Sequence, residues 1–232
     1  MKKDTIMVIG AGQMGAGIAQ VSAQAGYNVY MYDVSPEQIE KGMKRISGQL
    51  FRQAEKGKLP HGDVQQIYQR LSPSASLDEA REAFLIIEAA VEQMDVKKEI
   101  FKRLDEVTED SAILASNTSS LSITELASVT KKPQNVIGMH FMNPVPVMQL
   151  VEVIRGLETS GETYETVVAA AERMNKVPIE VRDFPGFISN RILMPMINEA
   201  VFALYEGVAE KESIDGIMKL GMNHPMGPLA LA

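Results

Sequence analysis

Apolar residues in this chain come first as a short unbroken run, Thr5 to Ile9 (TIMVI), which stops at a glycine cluster. A run of that length bounded by a turn signal reads as a buried parallel strand. Met14 to Ala25 then follows helical spacing, and Asn28 to Tyr32 (NVYMY) gives a second strand. The order strand, glycine turn, helix, strand is a βαβ unit with a right-handed crossover. Ser35-Pro36-Glu37-Gln38 places a capping serine, a proline at the first helical position and a capping-box glutamine ahead of a long polar helix reaching about Lys56. Further buried-strand patterns fall at Phe84–Val91, Ala112–Ala115, Val136–Met139 and Met148–Ile154, with helical patterns between several of them. This alternation predicts an α/β fold with a doubly wound parallel sheet.

The pattern changes at Asp183-Phe184-Pro185-Gly186, which predicts a boundary between a domain of residues 1–184 and a helical one of residues 185–232. Beyond it Phe187, Ile188, Ile192, Leu193, Met196, Ile197, Ala200, Val201, Leu204 and Tyr205 recur at helical spacing. That face is broad enough to require burial against another helix or subunit. Pro195 lies inside it and predicts a kink or local break.

Composition narrows the function. The 232 residues are 45% hydrophobic and 23% charged, a globular balance, and no apolar run is long enough to span a membrane. Met1-Lys2-Lys3-Asp4 is not followed by the apolar core of a signal peptide, so a cytoplasmic location is the expectation. With no cysteine there is no disulfide framework, thiolate metal site or cysteine nucleophile, and no metal site is expected. A net charge of −7 disfavours nucleic acid as partner and favours small-molecule chemistry.

Gly10-Ala11-Gly12-Gln13-Met14-Gly15 is a G-x-G-x-x-G sequence that follows a strand, opens a helix, and is answered by Asp33 at the end of the next strand. In that context the glycines permit a tight turn, close backbone approach to a pyrophosphate, and helix–strand packing. The helix N-terminus adds unpaired N–H groups. Asp33 is suited to ribose hydroxyls, and neither Val34 nor Ser35 supplies a cation for a 2′-phosphate, so the expected cofactor is NAD.

Alcohol oxidation needs a base, and of the three histidines only His140 ends an apolar strand, VIGMH, where open α/β sheets bind ligands. His61 lies in a polar stretch read as loop, and His224 in a turn beside Pro225. Glu152 interrupts the apolar LVEVI run; a buried carboxylate needs a partner, and a His140–Glu152 pair would fix the imidazole tautomer and stabilise an imidazolium. An edge-strand position facing water is the alternative for Glu152.

The segments SNTSS at 116–120, HFMNPVPVMQLVEV at 140–153, DFPGFISNRI at 183–192 and KLGMNHPMGP at 219–228, with the glycine turn, resemble the short-type L-3-hydroxyacyl-CoA dehydrogenases along the whole chain. The resemblance implies a Rossmann-type NAD domain, then an all-α substrate and dimerisation domain, with the active site in the cleft between them. Members of the family continue past the position of Ala232, so the helical domain is expected to be C-terminally truncated here. The implied reaction is NAD-dependent interconversion of (S)-3-hydroxybutanoyl-CoA and acetoacetyl-CoA by a homodimer, in fatty-acid or butanoate metabolism. Two other readings stand beside it: a gulonate-type sugar-acid dehydrogenase of the same superfamily, and a non-catalytic NAD-binding descendant.

The same resemblance gives His140 and Glu152 as catalytic dyad, and Ser119 and Asn190 as groups on the substrate oxygen. By pattern alone Ser119 is a helix-cap candidate and Asn190 an ordinary first-turn asparagine. It further assigns Asn143 to the nicotinamide end of NAD, with Glu92 and Lys97 near its ribose. Arg52 and Lys56 match coenzyme A positions. They share one helix face, in a stretch (residues 36–58) with six bases against three acids, which charge pattern alone would leave as a solvated face.

Overall fold

The computed structural model describes residues 4–232, so the leader reading at Met1–Lys3 lies outside the described residues. The chain divides into two compact units at Phe184/Pro185. In the first, the elements run β1 (Thr5–Ile9), α1 (Gln13–Gln24), β2 (Asn28–Tyr32), α2 (Pro36–Glu55), α3 (His61–Tyr68), β3 (Leu71–Ser74), β4 (Leu85–Glu88), α4 (Met94–Val107), β5 (Ile113–Ser116), α5 (Ile123–Ala127), β6 (Val136–Phe141), β7 (Leu150–Arg155), α6 (Gly161–Arg173) and β8 (Val177–Arg182). They build one eight-stranded sheet of order β3-β2-β1-β4-β5-β6-β7-β8. The strands β1, β4, β5 and β6 are buried on both faces, which is why they read as unbroken apolar runs.

The sheet departs from the expected parallel arrangement at one place: β6 and β7 are antiparallel, and β7 and β8 are parallel to each other. Residues 142–149 between β6 and β7 are too few for a crossover helix, so the chain turns back on itself. Two strands, β3 (LSPS) and β8 (VPIEVR), were not read from the sequence; each contains a proline, Pro73 or Pro178, and each lies at an edge, where a missing N–H breaks no ladder. Glu152 is therefore not on an edge strand, since β8 covers β7. His61 opens α3 rather than lying in a loop, with Pro60 at the cap position. Ser35 caps α2 as expected, its side chain accepting the Gln38 N–H.

The second unit contains α7 (Ser189–Tyr205), α8 (Lys211–Gly221) and α9 (Pro228–Leu231). The expected break at Pro195 is absent: α7 runs through it as one helix, the proline forfeiting only its own N–H bond to the preceding turn. Within the single chain the broad apolar face is only partly covered. Phe187 and Ala200 are buried, whereas Ile188, Ile192, Val201, Leu204 and Tyr205 are exposed. Within this unit α7 has only the short α8 and α9 to pack on, and they cover one stripe of it.

Candidate active site

The glycine turn is shaped by contact with β4 and with itself. Gly10 has φ +98°, and a Cβ there would lie 2.4 Å from the Ala89 carbonyl oxygen; a Cβ on Gly15 would lie 1.7 Å from the Gly10 oxygen. Neither position admits a side chain. Gly12 differs, with nothing within 4 Å of its would-be Cβ, so the space beside the α1 N-terminus is open to a bound group. Asp33 is tied to this turn: Ala11 N–H donates to Oδ2 at 2.8 Å and Ser35 N–H to Oδ1 at 3.0 Å. It lines a cleft of about 470 Å³ with Tyr32, Val34, Ile39, Glu40 and Pro73, a largely apolar slot with two acidic residues at its wall. These features fit a dinucleotide whose ribose hydroxyls meet Asp33 and whose phosphates meet the turn.

Three of the expected site residues, Glu92, Lys97 and Ser119, gather at the carboxyl ends of β4 and β5. Ser122, not Ser119, caps α5, its side chain accepting the Glu125 N–H. Ser119 instead belongs to a loop gripped by Glu92, whose Oε1 accepts the Thr118 hydroxyl at 2.5 Å and the Ser119 N–H at 2.9 Å. Burial pushes the Glu92 carboxyl up, but the Thr118 and Ser119 hydrogen bonds and the Lys97 charge outweigh it and hold it below the ordinary value. Lys97 is almost wholly buried, its ammonium 2.6 Å from Glu88 and 3.5 Å from Glu92.

His140 and Glu152 meet directly. They are opposed residues in the antiparallel β6–β7 register, and His140 Nδ1 lies 2.7 Å from Glu152 Oε2. Both are buried, at 6% and 3% exposure. The short turn is what creates the pair, because antiparallel neighbours present opposed side chains on the same face of the sheet. Beyond β6, Asn143 accepts a hydrogen bond from Gln13 Nε2 at 2.9 Å, joining the turn after the His140 strand to the first residue of α1. Phe141, next to His140, donates its N–H to Asn117 Oδ1 at 2.9 Å, so the β5 loop and the dyad strand are also linked.

On α2, Arg52 lines an open groove of about 300 Å³ with Gln13, Lys44, Arg45, Gly48 and Gln49. Lys56 follows the helix as its C-cap and is not among the residues lining that groove. Lys44 and Arg45 were counted in the basic stretch but not assigned, and Gln49 was passed over; the signal was the spacing of Arg45 and Gln49, seven and three from Arg52 on one helix face. Lys41 is neutralised by Glu37 at 2.7 Å. Asn190 is the second residue of α7, in the other unit.

A sheet of this order, with a glycine turn and a buried His–Glu pair at strand ends, defines a dinucleotide-dependent dehydrogenase. Residues 5–184 match the family model for the 3-hydroxyacyl-CoA dehydrogenase NAD binding domain, and residues 186–232 match that for the 3-hydroxyacyl-CoA dehydrogenase C-terminal domain. The chain belongs to the 3-hydroxyacyl-CoA dehydrogenase family, NAD-dependent oxidoreductases. It is 62% identical over 232 residues to the probable 3-hydroxybutyryl-CoA dehydrogenase of Bacillus subtilis (strain 168), covering 100% of this chain and 81% of that protein. With the 3-hydroxybutyryl-CoA dehydrogenase of Clostridioides difficile it shares 50% identity, over 97% of this chain and 80% of that one. Among solved structures, the (S)-3-hydroxybutyryl-CoA dehydrogenase PaaH1 from Ralstonia eutropha superposes with a TM-score of 0.97 at 49% identity, covering 100% of this chain and 82% of that one.

Proposed function

We propose that this chain interconverts (S)-3-hydroxybutanoyl-CoA and acetoacetyl-CoA, with NAD as redox partner. The observation that carries the chemistry is the buried His140–Glu152 contact of 2.7 Å at the ligand-binding end of the sheet. The substrate follows from the relatives, three of which are named for 3-hydroxybutyryl-CoA.

A secondary alcohol gives up hydride from carbon only as its hydroxyl proton departs, so a base must stand at that oxygen. With Nδ1 engaged by Glu152, Nε2 is the nitrogen left to take the substrate's proton. The imidazolium then formed is stabilised by the carboxylate 2.7 Å away. In the reductive direction the same nitrogen returns the proton to the carbonyl oxygen. Ser119 and Asn190 are assigned as hydrogen-bond partners of that oxygen, where negative charge develops. NAD, when bound, supplies the hydride acceptor for the carbon bearing this oxygen. Gly10, Gly12, Gln13, Met14, Gly15 and Asp33 would hold its adenosine and phosphate end; Asn143, Glu92, Lys97 and Ser119 would hold its nicotinamide half. Arg52 and Lys56, both exposed, are assigned to the phosphates of coenzyme A.

The test is absorbance at the NADH band on mixing protein, NADH and acetoacetyl-CoA, with NADPH and free acetoacetate as parallel arms. Signal loss only with NADH and thioester is expected. Equal consumption with the free acid would replace the proposal with a sugar-acid or hydroxy-acid enzyme, and no consumption in any arm would contradict it.

The fuller setting belongs to the same proposal: a cytoplasmic homodimer working in fatty-acid or butanoate metabolism. Exposed Ile192, Val201, Leu204 and Tyr205 on α7 support a second copy as the cover for that helix. Light scattering on the purified chain checks this, with a dimer mass expected.

A further inference from the structure

Glu88, the last residue of β4, is a carboxylate with 0% exposure inside an otherwise apolar strand. It is saturated: Lys97 Nζ and the Ala90 N–H each donate to Oε1 at 2.6 Å, and the Ser116 hydroxyl donates to Oε2 at 2.6 Å. Ser116 is the register partner of Glu88 on β5, and the Glu88 carbonyl accepts the Asn117 N–H at 2.7 Å. One residue thus ties together the ends of two central strands and the start of α4.

Its cation has a second task. Lys97 stands in the first turn of α4, where the helix dipole disfavours positive charge, so its place is set by acids rather than by the helix. Besides Glu88 it faces Glu92 Oε2 at 3.5 Å. Glu92 is the member of this trio that reaches solvent, with 41% side-chain exposure, and its other oxygen grips Thr118 and the Ser119 N–H. Two acids share one cation, and the surplus negative charge rests at the exposed end. A buried ion pair of this kind offers little net stability over apolar packing of the same volume. What it supplies is a fixed position for a charge that solvent would otherwise leave mobile.

We propose that Glu88 is a positioning residue: through Lys97 and Ser116 it fixes the Glu92 carboxylate and the Ser119 loop on which cofactor and substrate are bound. Lys97 bridges the two carboxylates, Glu88 at 2.6 Å and Glu92 at 3.5 Å. The inference rests on the function proposed above for the binding end of the sheet.

The experiment compares wild type, Glu88→Gln, Lys97→Met and the Glu88→Gln/Lys97→Met double variant. Each is measured for melting temperature, for NADH affinity by fluorescence titration, and for KM and kcat with acetoacetyl-CoA. Glu88→Gln removes the nearer counter-ion of the buried Lys97 ammonium and leaves it only Glu92 at 3.5 Å, and it is expected to lower the melting temperature and to weaken NADH and thioester binding by about tenfold or more, as misplacement of a positioned group does. The double variant removes both charges. It is expected to regain most of the melting temperature while keeping the weakened binding, because Glu92 then has no cation. Recovery of binding together with stability would reduce Glu88 to a structural ion pair and overturn the proposal, as would unchanged binding in Glu88→Gln. Should Glu88→Gln not fold, the double variant carries the same decision. A wild type inert toward acetoacetyl-CoA that binds NADH would instead sink the reading of the substrate, and the NADH arm would still decide the role of Glu88.

Discussion

Two buried glutamates on central strands, Glu152 on β7 and Glu88 on β4, have opposite kinds of partner. Glu152 faces an imidazole, whose two nitrogens can each give or take a proton; Glu88 faces an ammonium, which has only N–H donors to offer. The first pair can accept and return a proton, and the second can only hold position. Their origins differ too. An antiparallel register across a short turn sets His140 opposite Glu152, whereas Glu88 and Lys97 meet through a strand end and the first turn of the helix that follows it. Equal burial of a carboxylate therefore says nothing of its task until the partner is known.

That contrast is broken most sharply by His140→Gln. Turnover should fall by about a thousandfold or more while NADH affinity stays near wild type, because Gln keeps a polar group opposite Glu152 but cannot take the proton. Loss of NADH affinity of the same size would make His140 architectural, like Lys97. Asp33→Ala should come next, narrowing the preference for NADH over NADPH by about tenfold or more once the repelling carboxylate is gone. A preference left intact would move cofactor selection away from β2. Arg52→Ala should raise KM for acetoacetyl-CoA by about twofold to fivefold with kcat unchanged, the range for one exposed charge contact. A larger effect on kcat than on KM would give Arg52 a part in the reaction itself.

The smallest effect concerns Glu92, whose carboxyl is held below its ordinary value of 4.5. A depressed acid contributes stability that is fully present above the unfolded value and is lost as pH falls through the folded one. The melting-temperature gap between wild type and Glu92→Gln should hold steady from neutrality down to the unfolded value of 4.5 and close below it. A gap that closes well above that value would remove Lys97, Thr118 and the Ser119 N–H as the groups that keep Glu92 ionised.

Much of the frame was legible in the chain because central strands must be apolar on both faces: TIMVI and VIGMH announce themselves, NVYMY is apolar enough to read as strand although only one of its faces is fully buried, and the glycine turn with Asp33 follows from them. The edges were not legible, since LSPS and VPIEVR are half polar and carry prolines that argue against strand until an edge position is known. Glu152 was found because a carboxylate in an apolar strand demands a partner. The same demand applied to Glu88 in FLIIEAAV, and Lys97 nine residues later was its answer; a strand end and the following helical turn had to be built before that pairing became visible. The broad face of α7 is legible only in part, because apolar periodicity fixes which side of a helix seeks cover but not what supplies it.

The central claim is that Glu152 holds His140 for proton transfer rather than for stability. Single-turnover consumption of NADH by acetoacetyl-CoA, in wild type and in Glu152→Gln, tests it most directly. A loss of about a hundredfold or more in the transfer rate, with NADH affinity and melting temperature close to wild type, is the expected result. An unchanged transfer rate, or a loss that merely follows a fall in melting temperature, would contradict it.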